Sequence, residues 1–438
     1  MVAILFAAFL ASAAFEPIGI WFLAIMGSAL FFRKLSSTGR PIFQSFLFGF
    51  FLNAIVLYWT GKYVGALPWL LLATLQALFY LPVGWIYKGS KNLWLSGLTL
   101  LLMEEIRSRY PFGGFGWTRI AFSQVDSPVL PIVSLGGVIA LSAFTVLISV
   151  LLTKFNLKRL LLVAVLFLST TLMPSNPQGS GSLSLLAIQA NTPEIGLNFN
   201  SRAKAVFDLH SKATSEFARG NFDAIIWPEN AIDIDPKLYP EVANEIRSLT
   251  SNLRAPLVAG VVKQYNGSPQ NASVMYSKGG EEQSLYIKRG LTPFGEYIPL
   301  RKLAELVSPF AKNVMDFLPG DKAVIHNING NDIGPIICYE IINDGLVREM
   351  AKRSEALIVQ TNSATFANTA QSAQQLAITR IRAVEHSRYV LSVSTIGISA
   401  FIDNNGRVMD RTKENSKSFL RGELLLSNHS TLIDRLIS

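Results

Sequence analysis

The sequence predicts a polytopic α-helical membrane bundle over residues 1–175, followed by a layered α/β domain over residues 176–438. Three observations predict this division. Half of the 438 residues are hydrophobic and only 16% are charged, against about 25% charged in typical soluble domains. Long apolar segments fill the first part, whereas short strand and helix candidates alternate in the second. A polar stretch rich in proline and glycine, residues 174–181, separates the two parts.

The first part contains seven apolar segments separated by short charged breaks. A membrane-spanning helix needs ~20 predominantly apolar residues, so we expect about seven spans. A cleaved leader is disfavoured, because residues 1–14 lack a positively charged start and further apolar segments follow directly. The segments cover about 2–14, 17–32, 41–61, 67–87, 92–106, 127–153 and 160–174.

Basic residues are concentrated in three short loops of the first part. Residues 1–175 hold 12 basic and four acidic residues, so they carry +8 of the net charge of +9. The loops at 33–40, 88–91 and 154–159 hold eight of these basic residues and no acidic one. The positive-inside rule predicts that these loops are cytoplasmic and, after an odd number of spans, that residues beyond 175 are extracytoplasmic. The excess charge therefore indicates topology, and nucleic acid is not expected as a partner.

An aromatic, glycine-rich segment, residues 111–126, lies on the predicted outer side. Its aromatic side chains are expected to anchor the chain at the membrane interface. The alternative is a loop that dips into the bilayer and admits a lipid chain. The residues favour the anchor without excluding the loop.

The second part predicts strands alternating with helices, which is typical of an α/β layer fold. Its only cysteine excludes an intramolecular disulfide framework and a cysteine-based zinc site. Strands are expected at 183–189, 224–227, 257–262, 274–276, 333–337, 357–360 and 389–393, and helices at 201–219, 240–253, 345–353 and 370–387.

The single cysteine, Cys338, follows a predicted strand, where α/β folds commonly place active residues. A buried structural cysteine is the equally weighted alternative. A nucleophilic cysteine needs a base, but the four histidines lie in predicted helix or loop contexts without a catalytic pattern. Glu229 is the better base candidate because it also follows a predicted strand. Taken singly, Lys288 and Glu296 would be ordinary solvated charges.

Three segments in order resemble the Glu-Lys-Cys triad of the nitrilase superfamily. They are Trp-Pro-Glu229, Tyr-Ile-Lys288 with Pro-Phe-Gly-Glu296-Tyr, and Cys338-Tyr-Glu. Together with the polytopic first part, they are similar to the bacterial apolipoprotein N-acyltransferase family. The resemblance implies a nitrilase-like αββα sandwich and a triad of Glu229, Lys288 and Cys338. It further implies supporting roles for Glu296, which orients a triad member, for Tyr339 and Glu340, which form the wall, and for Asn362, which holds a loop beside the thiol.

The resemblance also implies a reaction. An acyl chain would pass from a membrane phospholipid, through a thioester on Cys338, to the α-amino group of the N-terminal S-diacylglyceryl cysteine of an apolipoprotein. The expected partners are the phospholipid donor, the diacylated apolipoprotein and membrane lipids, with no metal and no soluble cofactor. The expected place is the bacterial cytoplasmic membrane, with the catalytic domain on its extracytoplasmic side.

Three departures from the family and two alternatives accompany this expectation. The family usually ends with one more spanning helix, whereas residues 435–438 hold no apolar run, so the resemblance leaves the C-terminal anchoring open. Residues 363–367 differ from the sequence common after the Thr-Asn pair, and Gln375 stands where many relatives have histidine. A membrane-anchored amidase or hydrolase of the same superfamily would use the same triad with water as acceptor. A transporter or inert scaffold is disfavoured, because the predicted spans are almost free of ionisable residues.

Overall fold

The computed structural model describes residues 1–195, 204–307, 311–312 and 314–436. The chain divides into two compact units, Met1–Ser175 and Asn176–Ser438. The first unit is helical. Its α-helices are α1 (Val2–Ser12), α2 (Phe22–Ser36), α3 (Pro41–Val56), α4 (Ala66–Leu78), α5 (Leu81–Ser90), α6 (Leu93–Arg107), α7 (Val133–Leu151) and α8 (Leu157–Thr171).

Local sequence sets where these helices begin. Pro41 occupies the first turn of α3, where its missing N–H costs nothing. The Asn92 side chain caps α6, and the Asn156 side chain caps α8 by accepting the backbone N–H of Arg159. Each of the seven predicted apolar segments overlaps at least one of these helices, and the segment 67–87 overlaps both α4 and α5.

The length of the helices tests the predicted number of spans only in part. Among the described residues, two helical stretches are long and apolar enough to cross a membrane, 66–90 and 130–151. The apolar helices α1 and α3 have 11 and 16 residues and are shorter than a ~20-residue span. The count of about seven spans therefore stays a prediction.

The aromatic, glycine-rich segment 111–126 packs into the helical unit. Trp117 is 3% exposed and its ring lies 5.1 Å from that of Trp59. The Arg107 guanidinium donates to the hydroxyl and the carbonyl of Thr118 at 2.6 and 2.7 Å. The predicted role as interfacial anchor is thus wrong for Trp117 and for Phe122, which are buried in protein, whereas Phe112 of the same segment is exposed.

The second unit contains two six-stranded sheets. Its strands are β1 (Ser182–Gln189), β2 (Ala224–Ile226), β3 (Leu257–Tyr265), β4 (Ser268–Tyr276), β5 (Glu282–Ile287), β6 (His326–Ile328), β7 (Asn331–Ile337), β8 (Ala356–Thr361), β9 (Tyr389–Ser394), β10 (Ala400–Ile402), β11 (Val408–Arg411) and β12 (Ser418–Leu425). One sheet has the order β12-β1-β2-β3-β4-β5 and the other β11-β10-β9-β8-β7-β6. The central strands β1-β2-β3 and β7-β8-β9 are parallel, and the outer pairings are antiparallel.

Layers of apolar side chains hold these sheets together. Side chains from both sheets form one buried core. It includes Leu185 and Ile226 of the first sheet and Ile358 of the second. A second core lies between the first sheet and the helices α9 (Ala205–Phe217) and α10 (Pro240–Leu253). The helices α12 (Asp344–Lys352) and α13 (Gln371–Glu385) pack on strands of the second sheet. The predicted α/β layer fold is therefore confirmed.

The four predicted helices of this unit are present, as α9, α10, α12 and α13. The first three residues of the predicted helix 201–219 lie outside the described residues. Among the described residues, the other α-helices of this unit are α11 (Arg301–Val307) and α14 (Leu432–Leu436). The seven predicted strands are also present, but β5, β6 and β10 to β12 have no counterpart in the prediction.

Candidate active site

The predicted site residues meet where parallel strands of both sheets end. Glu229 lies three residues beyond β2, Cys338 directly follows β7, and Asn362 directly follows β8. Lys288 directly follows the antiparallel strand β5. Carboxyl ends of parallel strands are the common location of active sites in α/β folds. Residues that are far apart in the sequence are brought together here because two sheets contribute to one cluster.

Glu229 is buried, with 4% of its surface exposed, and its carboxylate accepts hydrogen bonds from three donors. One oxygen, Oε1, accepts hydrogen bonds from Lys288 Nζ at 3.2 Å and Asn271 Nδ2 at 2.7 Å. The other, Oε2, accepts the backbone N–H of Asn362 at 2.7 Å. These contacts fix the carboxylate in one orientation.

The backbone around Glu229 depends on a close approach by β3. A Cβ atom at Gly260 would lie 2.4 Å from the carbonyl oxygen of Pro228 and 2.5 Å from Cα of Glu229. Such distances are far shorter than a carbon–carbon contact of ~3.5–4 Å. Glycine at position 260 is therefore required for the Glu229 segment to lie against the sheet.

Lys288 is 1% exposed and lies between two carboxylates. Its Nζ is 2.8 Å from Glu296 Oε2 and 3.2 Å from Glu229 Oε1. Burial by itself would lower the pKa of Lys288, but the charges of Glu229 and Glu296 outweigh it, so the pKa is raised above its ordinary value. Lys288 is consequently a fixed ammonium ion at neutral pH.

Asn271 on β4 connects the two carboxylates. Its Nδ2 donates to Glu229 Oε1 and to Glu296 Oε1, both at 2.7 Å. Glu296 is also held by the backbone N–H of Thr292 at 2.8 Å. The sequence did not indicate Asn271, because β4 also carries Ser268, Gln270 and Ser273, so one more polar residue gives no distinct signal.

Cys338 adopts a left-handed backbone conformation with φ of +50°, which is uncommon for a residue other than glycine. Burial raises the pKa of its thiol above the ordinary value, and the charge of Glu229 raises it further, against the opposing effect of Lys288. The thiol also hydrogen-bonds to Glu229. At neutral pH the group is a thiol in contact with a carboxylate, so a proton can pass between them.

Helix α13 holds the backbone of Cys338 from the other side. Gln375 Nε2 donates to the Cys338 carbonyl at 3.3 Å, and Gln371 Nε2 donates to Gln375 Oε1 at 2.6 Å. The peptide bond after Cys338 is trans. Because carbonyl and N–H point in opposite directions in a trans peptide, the N–H of Tyr339 is directed away from Gln375.

Glu340 hydrogen-bonds to β5 and β7, the strands that precede Lys288 and Cys338, and so connects them. Its Oε1 accepts the Tyr286 hydroxyl at 2.8 Å and the backbone N–H groups of Arg289 and Gly290 at 2.7 and 3.0 Å. Its Oε2 accepts the N–H of Ile337 at 2.8 Å. Burial raises the pKa of Glu340 in spite of these backbone hydrogen bonds. The carboxyl group of Glu340 therefore holds the backbone after β5 against the end of β7.

The other two expected supporting residues lie beside the triad. Tyr339 is half-buried, and burial raises the pKa of its hydroxyl well above the ordinary value. Asn362 contacts Glu229 through its backbone N–H, while its side-chain oxygen accepts the N–H of Ala364 at 3.0 Å and the hydroxyl of Thr395 at 2.9 Å. The side chain of Asn362 therefore shapes the loop after β8.

The histidines are engaged elsewhere or exposed. His326 lies on β6, not in the helix or loop context expected from the sequence, between the hydroxyls of Ser273 and Ser284 at 2.9 and 2.6 Å. Burial lowers the pKa of His326 to about 3 and that of His210 to about 4. His386 contacts Asp434 at 2.7 Å, and His429 is exposed. None of these histidine contacts involves Cys338, whereas Glu229 hydrogen-bonds to its thiol.

Among residues 1–195, 204–307, 311–312 and 314–436, no group of three or more His, Cys, Asp or Glu side chains is placed to hold a metal ion.

Comparison with known proteins gives matches along most of the chain. Residues 7–151 match the family model described as apolipoprotein N-acyltransferase N-terminal domain, and residues 186–430 match the carbon-nitrogen hydrolase family. The apolipoprotein N-acyltransferase of Mycolicibacterium smegmatis is 32% identical over 95% of this chain and 78% of its own length. The protein of the same name from Pseudomonas putida is 26% identical over 94% of this chain and 88% of its own.

Solved structures give a more distant likeness. XC1258 from Xanthomonas campestris, a CN-hydrolase superfamily protein, is 17% identical, with a TM-score of 0.42 over 56% of this chain and 91% of that one.

Proposed function

Because the chain belongs to the apolipoprotein N-acyltransferase family and its second unit to the carbon-nitrogen hydrolases, we propose that it acylates lipoproteins. The acyl chain would pass from a membrane phospholipid, through a thioester on Cys338, to the α-amino group of the N-terminal S-diacylglyceryl cysteine of an apolipoprotein.

One observation above all supports this proposal. Glu229, Lys288 and Cys338 come from two different sheets and form one buried cluster in which the carboxylate contacts both the ammonium and the thiol. A buried base next to a nucleophile, with a fixed cation beside both, is the arrangement that acyl transfer requires.

The first half-reaction forms the thioester. Glu229 accepts the proton of the Cys338 thiol, and the thiolate attacks the carbonyl carbon of the phospholipid ester. The Lys288 ammonium and the backbone N–H of Tyr339 stabilise the oxyanion that forms. When the intermediate collapses, the ester C–O bond breaks. The lysophospholipid oxygen takes the proton from Glu229, so the carboxylate is restored and the acyl group remains on Cys338.

The second half-reaction forms the amide. The neutral α-amine of the diacylated acceptor attacks the thioester carbonyl, and Glu229 accepts a proton from the nitrogen. The C–S bond then breaks, the proton returns to the sulfur, and Cys338 is again a thiol. Water must be kept away from the thioester, because hydrolysis would release a free fatty acid.

The helical unit would place this chemistry at a membrane. Large apolar side chains are exposed on all eight of its α-helices, for example Phe6 on α1, Leu98 on α6 and Val165 on α8. Exposed apolar surface of this extent is typical of contact with lipid. We propose a multi-pass unit in the bacterial cytoplasmic membrane, with the basic loops in the cytoplasm and residues 176–438 outside it. Both lipid substrates would then meet Cys338 at the outer membrane surface.

A two-stage labelling experiment tests the proposed function. The purified full-length chain is incubated with phospholipid carrying a labelled acyl chain, and the peptide containing Cys338 is analysed by mass spectrometry. A diacylated lipopeptide is then added. We expect an acyl adduct on Cys338 that transfers to the amine of the lipopeptide, and no adduct in Cys338→Ser.

Other outcomes would contradict the proposal in distinguishable ways. Release of the label as free fatty acid at the same rate with and without the lipopeptide would identify a hydrolase. Absence of any adduct would contradict the acyl-enzyme and favour an inert scaffold. A labelled lipopeptide formed equally well by Cys338→Ser would exclude Cys338 as the nucleophile.

A further inference from the structure

The surface of the helical unit contains a groove between the start of α3 and the end of α5. It has a volume of about 420 Å³. Two basic residues, Arg40 and Lys88, lie on its rim, and Phe43, Phe46 and Leu81 supply apolar walls. A groove with apolar walls and a cationic rim matches a molecule that has both a hydrocarbon part and a negative charge.

Close helix packing builds this groove. A Cβ atom at Gly84 would lie 2.5 Å from the carbonyl oxygen of Pro41 and 2.6 Å from Cα of Ile42. Glycine at this position lets α5 lie directly against the first turn of α3. Lys88 is four residues after Gly84, so it lies on the same face of α5 one turn later. The packing thereby brings the Lys88 stem and the first turn of α3 to one groove.

The charges at the rim favour an anion. Arg40 and Lys88 are exposed, and neither forms an ion pair with another side chain in the described part of the chain. The 16-residue helix α3 has no side-chain cap at its N-terminus, where the helix dipole favours a negative group. Two cations and a helix N-terminus therefore border the groove, and the residues that line it include no carboxylate.

We propose that this groove binds one anionic glycerophospholipid, with its phosphate between Arg40 and Lys88 and an acyl chain against Phe43, Phe46 and Leu81. Basic pockets between membrane helices on the cytoplasmic side are suited to anionic headgroups. A zwitterionic lipid fits less well because its ammonium or choline group would lie beside the same two cations. The proposal rests on the membrane placement of the proposed function, in which these loops face the cytoplasm and Cys338 the opposite side. The bound lipid is therefore distinct from the acyl donor.

Lipid binding by the full-length chain in detergent tests the groove. Binding of phosphatidylglycerol, phosphatidylcholine and inorganic phosphate is measured by native mass spectrometry and by protection against thermal unfolding. The variant Arg40→Gln/Lys88→Gln removes both rim charges. The control Lys154→Gln/Lys158→Gln removes two exposed basic residues of another loop on the same predicted side.

We expect phosphatidylglycerol to bind the wild type and the control equally, and the rim variant about 10- to 30-fold more weakly, because each basic residue near the anionic group contributes. Binding should also weaken as salt is raised. Three results would each overturn the proposal: equal binding to the rim variant, phosphatidylcholine binding as tightly as phosphatidylglycerol, or inorganic phosphate protecting as well as the lipid.

Acyl transfer measured on the same preparations separates this proposal from the function on which it rests. Arg40 and Lys88 take no part in the proposed chemistry, so the rim variant should form the Cys338 adduct when given labelled phospholipid. Loss of selective lipid binding with adduct formation intact is the expected result. If wild-type protein binds phosphatidylglycerol selectively but forms no adduct, the proposed function is contradicted. The proposal that the groove binds an anionic lipid is then still supported.

Discussion

Glu229→Gln separates the proposed role of this residue as a base from its role as a structural charge. The substitution keeps the size of the side chain but replaces an acceptor oxygen with a donor NH₂. Glu229 accepts hydrogen bonds from Asn271, Lys288 and the N–H of Asn362. A glutamine oxygen can still accept the hydrogen bonds from Asn271 and Lys288. Its NH₂ group then faces the N–H of Asn362, and because both groups are donors this hydrogen bond is lost.

The stability cost of Glu229→Gln follows from these contacts. At an effective dielectric constant near 20, Lys288 and Glu229 charges 3.2 Å apart attract by about 5 kcal/mol. The oxygens of Glu229 and Glu296 each lie 2.7 Å from one Asn271 nitrogen and so no more than twice that distance apart, which makes their repulsion at least about 3 kcal/mol. These terms cancel in part, and the lost hydrogen bond at Asn362 leaves a net cost of about 3 kcal/mol. The variant should therefore fold.

The effects of Glu229→Gln on the thiol and on catalysis have opposite signs. The charge of Glu229 raises the pKa of Cys338, so its removal should lower that pKa and increase the thiolate fraction. Acylation should nevertheless fall by about 10²- to 10⁴-fold, because the base is absent. A more acidic but less productive thiol is the signature of a general base.

Two assays on one preparation check this pair of effects. Cys338 is the only cysteine of the chain, so its alkylation by iodoacetamide can be followed against pH by intact-protein mass spectrometry, alongside acyl-adduct formation. Asp434→Asn, which removes a buried carboxylate bonded to His386 and Thr431, controls for a general loss of stability. Acylation within about threefold of wild type, or a thiol pKa that rises, would refute the reasoning.

Three further outcomes are expected. Lys288→Gln should raise the pKa of Cys338, since the Lys288 charge lowers it, and a rate of alkylation at pH 8.5 that does not fall would contradict this. Gly260→Ala should destabilise the protein by about 1–3 kcal/mol or more and slow acylation, because the new Cβ would lie 2.5 Å from Cα of Glu229; urea unfolding and the adduct assay measure both. The folded-state pKa of His326 is about 3, below the ordinary 6.5. The unfolded chain thus binds its proton first, and stability is lost as pH falls from about 6.5 toward 3, by up to ~1.4 kcal/mol per pH unit. His326→Gln should reduce the stability difference between pH 7 and pH 5, and an unchanged difference would contradict the assignment.

The elements predicted from the sequence were those with a strong local signal. Helix α10 begins and ends at the predicted residues, Pro240 and Leu253, because a proline starts it and an amphipathic pattern runs through it. Strand β5 was missed because Glu282 and the next residue are exposed at a sheet edge, where few side chains are buried. Strand β6 has three residues, too few for any periodicity. Pairing with an adjacent strand, β4 for β5 and β7 for β6, supplies the order in each case.

The site shows the same division between local and distant information. Glu229, Lys288 and Cys338 could be found because their side chains carry chemistry and stand in recognisable local sequences. Asn271 carries no such signal, since an amide acts only through the partners that the fold supplies. Its position between two carboxylates depends on the pairing of β4 with β3 and β5, which a single strand sequence does not specify.

The charges in the cluster explain why the site contains two carboxylates, Glu229 and Glu296, although only one of them is proposed to accept a proton. Before reaction, Glu229 and Glu296 are negative, Lys288 is positive and the thiol is neutral, so the cluster carries one net negative charge. In the proposed mechanism, that charge moves to the sulfur when Glu229 accepts the proton, and during attack it moves on to the oxyanion beside Lys288. The net charge of the buried site stays constant at every step, so little solvent reorganisation is needed. Glu296 is held by Asn271 and by the N–H of Thr292. In this mechanism it keeps Lys288 charged and in place while Glu229 is protonated and deprotonated.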